Sequence, residues 1–393
     1  MAMVRFEDVA TRVNTREDRF NTALTYYVGG EHIETGELKV SGRGVIKEAD
    51  LGPMFYFGFK PGDILFVTRN PHLRKCAMVD FPGICSEKTL VIATKDESVL
   101  SQKYLAAVMQ SDDFWEFLEE NKSGSVNYFV NWSTLAEYEF SLPPIDRQRE
   151  LADLLWAAND LKEAYKKAIS ATDEMLKAKF REMFGDNDFK GFLSQAREGK
   201  PDESSTKCIQ WVPVGEVADV FSGGTPDRNR AEYWQDGVVP WVKTTELKND
   251  FITHTEEKIT ELGVQKSSAK LMPAKTILVA MYGQGKTRGM TGCLAIPAAT
   301  NQACACIVAR ECMEVRFLWM YLILSYEQLR QLANTTSQAN LSLTTIKRFK
   351  VPLPPLERQR EFVAIAEAAE QTKAALKRSL GDLEQVMKGL INQ

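Results

Sequence analysis

Two short segments of the chain combine cationic, amide and glycine residues in a pattern that suits contacts with DNA. Residues 68–75 read TRNPHLRK, and residues 282–289 read YGQGKTRG. Arginine and lysine pair with guanine edges, asparagine and glutamine pair with adenine edges, and glycine permits close approach of the backbone. Each segment follows an apolar run typical of a buried strand, so both are predicted to form loops at corresponding places. The alternative is a solvated turn that binds nothing.

The sequence lacks the motifs of the enzymes that act on nucleotides or DNA. Residues 280–287, AMYGQGKT, nearly match the phosphate-binding pattern G-x-x-x-x-G-K-[ST], but Ala280 replaces the first glycine. Such a loop must open a helix, whereas the continuation here is glycine-rich and extended. Residues 70–73 read NPHL and break the [ND]-P-P-[YF] motif of amino-methylating enzymes. The sequence therefore predicts a protein that binds a target without catalysing a reaction.

Metal-ligating residues are sparse and scattered. The three histidines, His32, His72 and His254, lie far apart along the chain. Cys304 and Cys306 fall in the apolar run ACACIVA, which is typical of a buried strand rather than a metal site. No metal site is predicted.

Composition places the chain among globular proteins of the cytoplasm. It has 393 residues, of which 44% are hydrophobic and 26% are charged. Its seven cysteines form no C-x-x-C pair, which favours reduced thiols. No apolar run approaches the roughly 20 residues of a membrane span, and the N-terminal residues lack the apolar stretch of a signal peptide.

An internal repeat organises the chain. Residues 141–150 read SLPPIDRQRE and residues 352–361 read PLPPLERQRE, an offset of 211 residues with seven identities in ten. A long proline-free stretch with apolar residues every seven positions follows each copy. This pattern predicts two helices of about 40 residues, each about 60 Å long, that pack along their length. The predicted seam residues are Leu151, Leu154, Ala158, Leu161, Tyr165, Phe362, Ile365, Ala369, Leu376 and Leu383.

The repeat predicts a mixed α/β fold in which two α/β domains alternate with two long antiparallel helices that form a coiled coil with pseudo-twofold symmetry. Paired prolines before each helix hold the incoming chain extended, and Asp146 and Glu357 place negative charge in the first turn, where the helix dipole favours it. The predicted segments are a first domain at 1–144, a helix at 145–186, a linker at 187–207, a second domain at 208–351 and a helix at 352–393.

Charge is distributed unevenly between the two predicted domains. Residues 1–144 carry 15 basic and 21 acidic side chains, net −6, whereas residues 208–351 carry 16 and 13, net +3. Neutralising DNA phosphates requires clustered lysine and arginine. Any contact with DNA by the first domain must therefore use a local patch, or a partner that supplies positive charge.

Several segments together resemble one known family. The repeated L-P-P-[IL]-[DE]-R-Q-R-E before a heptad helix is similar to the conserved regions of type I restriction–modification specificity subunits. The second half adds S-G-G-T-P at 222–226, V-P-W-V-K at 239–243 and A-T-N-Q-A at 299–303. The first half departs from this pattern: it lacks S-G-G-T-P and has CSEK at 85–88 in place of T-N-Q-A.

The resemblance implies a subunit without catalytic residues whose two target recognition domains read a bipartite, asymmetric site in double-stranded DNA. It also implies that the helix pair docks two modification subunits, through which restriction subunits join. S-adenosylmethionine, ATP and Mg²⁺ are then expected on those partners, and no cofactor on this chain. The candidate DNA-facing residues are Arg69, Asn70, Arg74, Lys75, Lys243, Tyr282, Gln284, Lys286 and Arg288.

Two other classes of function remain open from the sequence. A single-chain restriction or methyltransferase fusion would show activity as a purified protein, although the catalytic motifs are missing. A coiled-coil scaffold with protein-binding heads would not bind a specific DNA fragment in preference to random DNA.

Overall fold

The computed structural model describes residues 2–185, 209–283, 285–334 and 340–392. The predicted linker at 187–207 and the candidate residue Gln284 lie outside them. The fold is mixed α/β with two long helices. The chain divides into two compact units: unit 1 comprises Met1–Ile169 and Ala375–Gln393, and unit 2 comprises Ser170–Ala374. Because both boundaries fall inside a long helix, each unit contains a globular part and a portion of both helices.

Unit 1 contains ten strands. They are β1 (Ala2–Arg5), β2 (Ala10–Val13), β3 (Tyr26–Val28), β4 (Gly44–Val45), β5 (Phe55–Phe59), β6 (Ile64–Val67), β7 (Cys76–Met78), β8 (Gly83–Ser86), β9 (Thr89–Thr94) and β10 (Glu139–Leu142). The helices that begin in unit 1 are α1 (Phe6–Val9), α2 (Gln102–Val108), α3 (Asp112–Glu120), α4 (Trp132–Ala136) and the long α5 (Ile145–Phe184).

The described part of unit 2 also contains ten strands. They are β11 (Trp211–Pro213), β12 (Ala218–Ser222), β13 (Val239–Val242), β14 (Asp250–Ile252), β15 (Glu257–Ile259), β16 (Ile277–Ala280), β17 (Thr291–Leu294), β18 (Ala299–Thr300), β19 (Cys304–Ala309) and β20 (Lys350–Pro352). Its helices are α6 (Val214–Val217), α7 (Glu261–Gln265), α8 (Val315–Leu324), α9 (Tyr326–Asn334), α10 (Leu343–Arg348) and the long α11 (Leu356–Ile391).

The two units share part of their strand arrangement. In unit 1 the sheets have the orders β1-β10, β2-β9-β6-β7 and β4-β3-β8-β5. In unit 2 they have the orders β11-β20, β12-β19-β16-β17-β14 and β15-β13-β18. The parallel pair β3-β8 corresponds to β13-β18, and each is flanked by an antiparallel neighbour, β4 or β15. The strand orders of the globular parts are thus consistent with the repeat seen in the sequence.

The central strands are apolar on both faces because both faces are covered. In β6, Ile64 and Phe66 join the core formed with the helices, whereas Leu65 joins the core formed with the second sheet. In β19, Cys304 and Cys306 share one face. Strands alternate their side chains between faces, so a strand buried on both sides has a continuous apolar sequence.

The buried face of α5 differs by one residue from the predicted seam. Leu154 and Leu161, both predicted seam residues, are 52% and 45% exposed, whereas Ala152 and Leu155 are buried in the core of unit 1. The other predicted residues of this helix are half-buried: Leu151, Ala158 and Tyr165. In α11, Phe362 and Ala369 are buried. The remaining predicted residues of α11 are half-buried: Ile365, Leu376 and Leu383.

Polar residues explain this shift. Gln148, Asn159 and Lys162 are all less than 5% exposed and lie on the buried face of α5. A heptad assignment that considers only apolar residues selects the neighbouring positions instead. Lys162 is buried because its ammonium group donates to Glu37 at 2.6 Å.

The long helices run antiparallel where they meet. In unit 2 the rings of Phe180 and Phe362 lie 5.2 Å apart, and Asp173 pairs with Lys373 further along both helices. Going from Phe180 back to Asp173 along α5 corresponds to going from Phe362 forward to Lys373 along α11, so the two helices run in opposite directions. In unit 1 the first turns of α5 and the last turns of α11 contribute to the same core.

Both helices start in the same way. The backbone N–H groups of Arg147 and Gln148 donate to the Pro144 carbonyl at 2.9 and 3.1 Å. Those of Arg358 and Gln359 donate to the Pro355 carbonyl at the same distances. The proline pair therefore ends the extended segment, and its last carbonyl begins the helical ladder.

None of the helices in the described segments combines the length and the apolar character that crossing a lipid bilayer requires.

Candidate nucleic-acid interface

The two predicted contact loops occupy equivalent positions in the two units. Residues 68–75 connect the antiparallel strands β6 and β7, and residues 281–290 connect the antiparallel strands β16 and β17. The second loop leads from strand to strand, and its described residues, 281–283 and 285–290, form no helix of the kind that a phosphate-binding loop must open.

Unit 1 holds its loop in a strained conformation. Asn70 and Arg74 have φ of 53° and 48°, in the left-handed region that few residues other than glycine adopt. They flank a 3₁₀ turn, Pro71–Leu73. The loop is anchored on its neighbour, because the Asn70 N–H donates to the Tyr128 carbonyl at 2.9 Å. Such strain persists only where the surroundings hold it.

Two of the predicted DNA-facing residues of this loop bind within the protein. The Arg74 guanidinium donates to Asp112 at 2.6 Å, and this hydrogen bond holds the pKa of Asp112 below its usual range. The Lys75 ammonium donates to the Gly30 carbonyl. In this conformation both cations stabilise the loop, whereas the Asn70 side chain is exposed.

Arg69 lines a cleft of about 340 Å³ beside the loop. Its guanidinium lies 5.1 Å from the ring centroid of Phe129. The cleft also contains Arg12, Lys88 and Asn131, none of which belongs to the predicted set. They come from β2, from the turn before β9 and from the residue before α4. No linear signal in the sequence links these segments, since only the fold brings them together.

The loop of unit 2 is held by α9. The Arg330 guanidinium donates to the carbonyls of Gly285 at 2.8 Å and Arg288 at 3.2 Å. The Tyr326 hydroxyl donates to the Lys286 carbonyl at 2.7 Å. The side chains of Tyr282 and Lys286 are exposed, and Arg288 is half-buried. A positioned loop with outward-facing polar side chains can contact base edges or phosphates.

Lys243 lies in a charged cluster rather than on an open surface. Its ammonium group is 2.7 Å from Glu256 and 3.0 Å from Glu257. Hydrogen bonds with these two carboxylates raise the pKa of Lys243. Glu257 also pairs with Arg228, whose guanidinium lies 3.7 Å from the ring centroid of Trp234. The carboxylates therefore neutralise the positive charge predicted to face DNA.

Two sequence motifs of unit 2 pack on each other. The Gly224 N–H donates to the Thr300 carbonyl at 2.8 Å, which joins S-G-G-T-P to A-T-N-Q-A. A Cβ atom on Gly223 would lie 2.1 Å from the Asn301 carbonyl oxygen, so this contact requires glycine. Since each motif supports the other, their joint absence from the first half of the chain has a physical reason.

Among the described residues, no group of three or more histidine, cysteine, aspartate or glutamate side chains could hold a metal ion. Burial raises the pKa of the Cys306 thiol to about 11, so this thiol stays protonated at neutral pH.

Part of the chain matches a known protein family. Residues 209–385 match the family model of the type I restriction modification DNA specificity domain. The chain is similar to the specificity subunit of the type I restriction enzyme EcoR124I/EcoR124II of Escherichia coli, at 27% identity over 160 residues, which are 40% of each chain. It is also similar to the HindI specificity subunit of Haemophilus influenzae, at 21% identity over 364 residues, covering 76% of this chain and 78% of that one.

Two solved structures share the fold over nearly the whole chain. One comes from work on complex assembly and conformational transition of the type I R-M system, with a TM-score of 0.60, 19% identity and coverage of 99% and 96% of the two chains. The other is the type I restriction–modification S subunit from M. genitalium, with a TM-score of 0.58, 16% identity and coverage of 99% and 94%. Residues 209–385 thus match the DNA specificity domain of type I restriction–modification systems, and the chain is similar to specificity subunits of such systems.

Proposed function

We propose that this chain is the DNA-recognition subunit of a type I restriction–modification complex and catalyses no step itself. One observation supports the proposal: a loop predicted to contact DNA occurs twice, once in each unit. Each unit presents a hairpin loop with cationic side chains between equivalent strands, β6 and β7 or β16 and β17. Two different loops on two similar scaffolds fit a bipartite and asymmetric DNA site, with one half-site for each unit.

The distribution of charge supports a division of labour with partner subunits. Residues 1–144 are net acidic, and Arg74, Lys75 and Lys243 are paired within the protein. Phosphate contacts supply most non-specific affinity for DNA, whereas base contacts supply specificity. In the proposed complex the modification subunits hold the DNA and this chain reads the bases. S-adenosylmethionine, ATP and Mg²⁺ then belong to the modification and restriction subunits.

The outer surface of α5 supports the docking of a partner protein. Leu154 and Leu161 are seven residues apart on α5 and are 52% and 45% exposed. Apolar residues with a seven-residue spacing are typical of a helix that packs on another helix. In the proposed complex a modification subunit covers this row.

The proposal is tested by co-expressing the chain with the modification subunit of its own system in a host without adenine methylation. Sequencing that detects modified adenines should reveal a bipartite motif only when both chains are present. A stable complex that modifies no DNA would contradict the proposal and favour a protein-binding scaffold. The modification subunit expressed alone is the matched control.

A further inference from the structure

The cleft beside the loop of unit 1 contains two side chains with unused hydrogen-bonding groups. Within the described residues, the Arg69 guanidinium makes no hydrogen bond or ion pair and rests on the Phe129 ring at 5.1 Å. The Asn131 side chain is exposed, and although Asn131 is the N-cap residue of α4, its side chain makes no capping hydrogen bond. Both therefore retain their donors for a ligand, whereas Arg74 and Lys75 do not.

Backbone pairing places the segments that carry these two side chains next to each other. The Val130 N–H donates to the Thr68 carbonyl at 3.0 Å, and Arg69 and Phe129 form an antiparallel bridge. Arg69 and Asn131 each lie within one residue of these contacts. The stacking of the guanidinium on Phe129 limits its motion, so less conformational entropy is lost when it binds.

The cleft is positively charged. It contains the cations Arg12, Arg69 and Lys88, whereas Glu87 is its single carboxylate. Glu87 accepts from Lys88 at 2.7 Å and from the Tyr56 hydroxyl at 3.1 Å. An anionic polymer with hydrogen-bonding edges fits this surface better than a neutral ligand does.

We propose that Arg69 and Asn131 together read base edges in the half-site bound by unit 1. An arginine fork pairs with O6 and N7 of guanine, and an asparagine amide pairs with N6 and N7 of adenine. The cleft thus reads a G·C pair and an A·T pair, and Arg12 approaches a neighbouring phosphate. The inference rests on the proposed function and assigns residues to one of its two half-sites.

The test compares the adenine-methylation motifs produced by the complex of this chain with its modification subunit. Arg69→Ala should relax one G·C position, and Asn131→Ala one A·T position of the same half-site, each by about tenfold or more in discrimination. The other half-site should remain unchanged. Asn21→Ala is the matched control, because this exposed amide donates only to Asp18 in the neighbouring turn.

Two conservative variants separate reading from folding. Arg69→Lys keeps the charge but loses the fork, so it should relax the G·C position while the complex stays intact. Asn131→Asp replaces the amide by an acceptor and should shift preference from adenine towards cytosine. If all four variants discriminate between bases as the wild type does, the assignment of Arg69 and Asn131 is wrong. The proposed function is not affected by that outcome. A wild-type complex that modifies no DNA would overturn the proposed function itself.

Discussion

Gln148 and Gln359 are 211 residues apart and make the same three hydrogen bonds, each within its own unit. The Gln148 amide donates to the carbonyls of Val99 and Pro143, both at 2.9 Å, and accepts from the Ser101 N–H at 3.0 Å. The Gln359 amide donates to the carbonyls of Cys312 and Pro354 at 3.1 and 2.8 Å, and accepts from the Glu314 N–H at 2.7 Å.

These bonds explain why glutamine recurs in the repeated R-Q-R-E. Ser101 and Glu314 immediately precede α2 and α8, so each glutamine joins the start of a long helix to the start of a domain helix. Only an amide of this length supplies two donors and an acceptor at a fully buried position. Each glutamine thus connects the first turn of a long helix to the globular part of its own unit.

Gln148→Ala should destabilise unit 1 strongly. The substitution leaves two carbonyls and one N–H without partners inside the protein, and each such group costs about 1–3 kcal/mol. We expect a loss of about 3 kcal/mol or more in the free energy of unfolding, measured by urea denaturation. Arg149→Ala, on the exposed side of the same turn, is the control and should change it by less than about 0.5 kcal/mol. Equal effects of the two substitutions would contradict this role for Gln148.

Leu155→Ala and Leu154→Ala should differ although the residues are adjacent. Leu155 is 2% exposed in the core of unit 1, and its truncation should cost about 2–5 kcal/mol. Leu154 is 52% exposed, so Leu154→Ala should leave the stability of the isolated chain within about 0.5 kcal/mol. Urea denaturation followed by tryptophan fluorescence measures both. If Leu154→Ala lowered the free energy of unfolding more than Leu155→Ala did, Leu154 would be a seam residue as the sequence predicts.

In the proposed complex, Leu154→Ala should affect binding of the modification subunit more than Leu155→Ala does. A modification subunit that covers the outer row of α5 would contact Leu154, so Leu154→Ala should weaken its association without unfolding the chain. Affinity of the purified subunits measures this effect. Unchanged affinity would remove Leu154 from the docking surface.

Features that depend on local sequence were predictable from the chain alone. The repeated proline pair and the heptads locate both long helices. Both signals depend only on residues that are close together in the sequence. The apolar runs around β6 and β16 locate two central strands. The position of the contact loops follows from the turn residues between those strands.

Features that depend on distant partners were not predictable. Lys162 is buried on the inner face of α5 because Glu37, 125 residues away, neutralises it. Lys243 was predicted to face DNA, but β15 pairs with β13 and brings Glu256 and Glu257 to it. Asn131 reaches the cleft of Arg69 through pairing of two loops. In each case the sequence carries the residue but not the contact that determines its role.

Glu37 should make unit 1 sensitive to acid. Burial by itself raises the pKa of Glu37, but hydrogen bonds from Lys162 at 2.6 Å and Lys166 at 2.9 Å outweigh it, so the pKa lies below the ordinary value of 4.5. A folded-state pKa below the unfolded one means that the pair stabilises the fold above about pH 4.5. This stabilisation is lost as the pH falls through the folded-state pKa.

Glu37→Gln tests this dependence. At pH 7 the variant leaves Lys162 buried without its counter-charge and should lose about 3 kcal/mol in the free energy of unfolding. The difference from wild type should shrink as the pH falls through the folded-state pKa of Glu37, because the wild-type carboxylate then becomes protonated as well. Glu163→Gln is the control, since Glu163 forms an exposed pair with Lys166 at 3.2 Å. A difference that stays constant with pH would rule out the ion pair as its cause.

Arg330 should control the order of the loop in unit 2. Arg330→Met removes the donors to the carbonyls of Gly285 and Arg288. We expect faster amide exchange at residues 285–290 and weaker binding of the half-site read by unit 2, with little change in overall stability. Hydrogen–deuterium exchange and DNA binding by the assembled complex measure the two effects. Gln331→Ala, at the next and exposed position, should change neither, and normal exchange in Arg330→Met would show that the loop is ordered by other contacts.

Lys286 should contribute to affinity without contributing to specificity. Its ammonium group is exposed at the tip of the loop, where it can approach a phosphate. Each phosphate contact adds about one unit to the slope of log affinity against log salt concentration. Lys286→Ala should therefore lower that slope by about one. It should weaken binding to cognate DNA and to random DNA to the same extent. Lys266→Ala, an exposed lysine beyond α7, should leave the slope unchanged. If Lys286→Ala instead relaxed one base position at constant slope, the lysine would be reading a base edge.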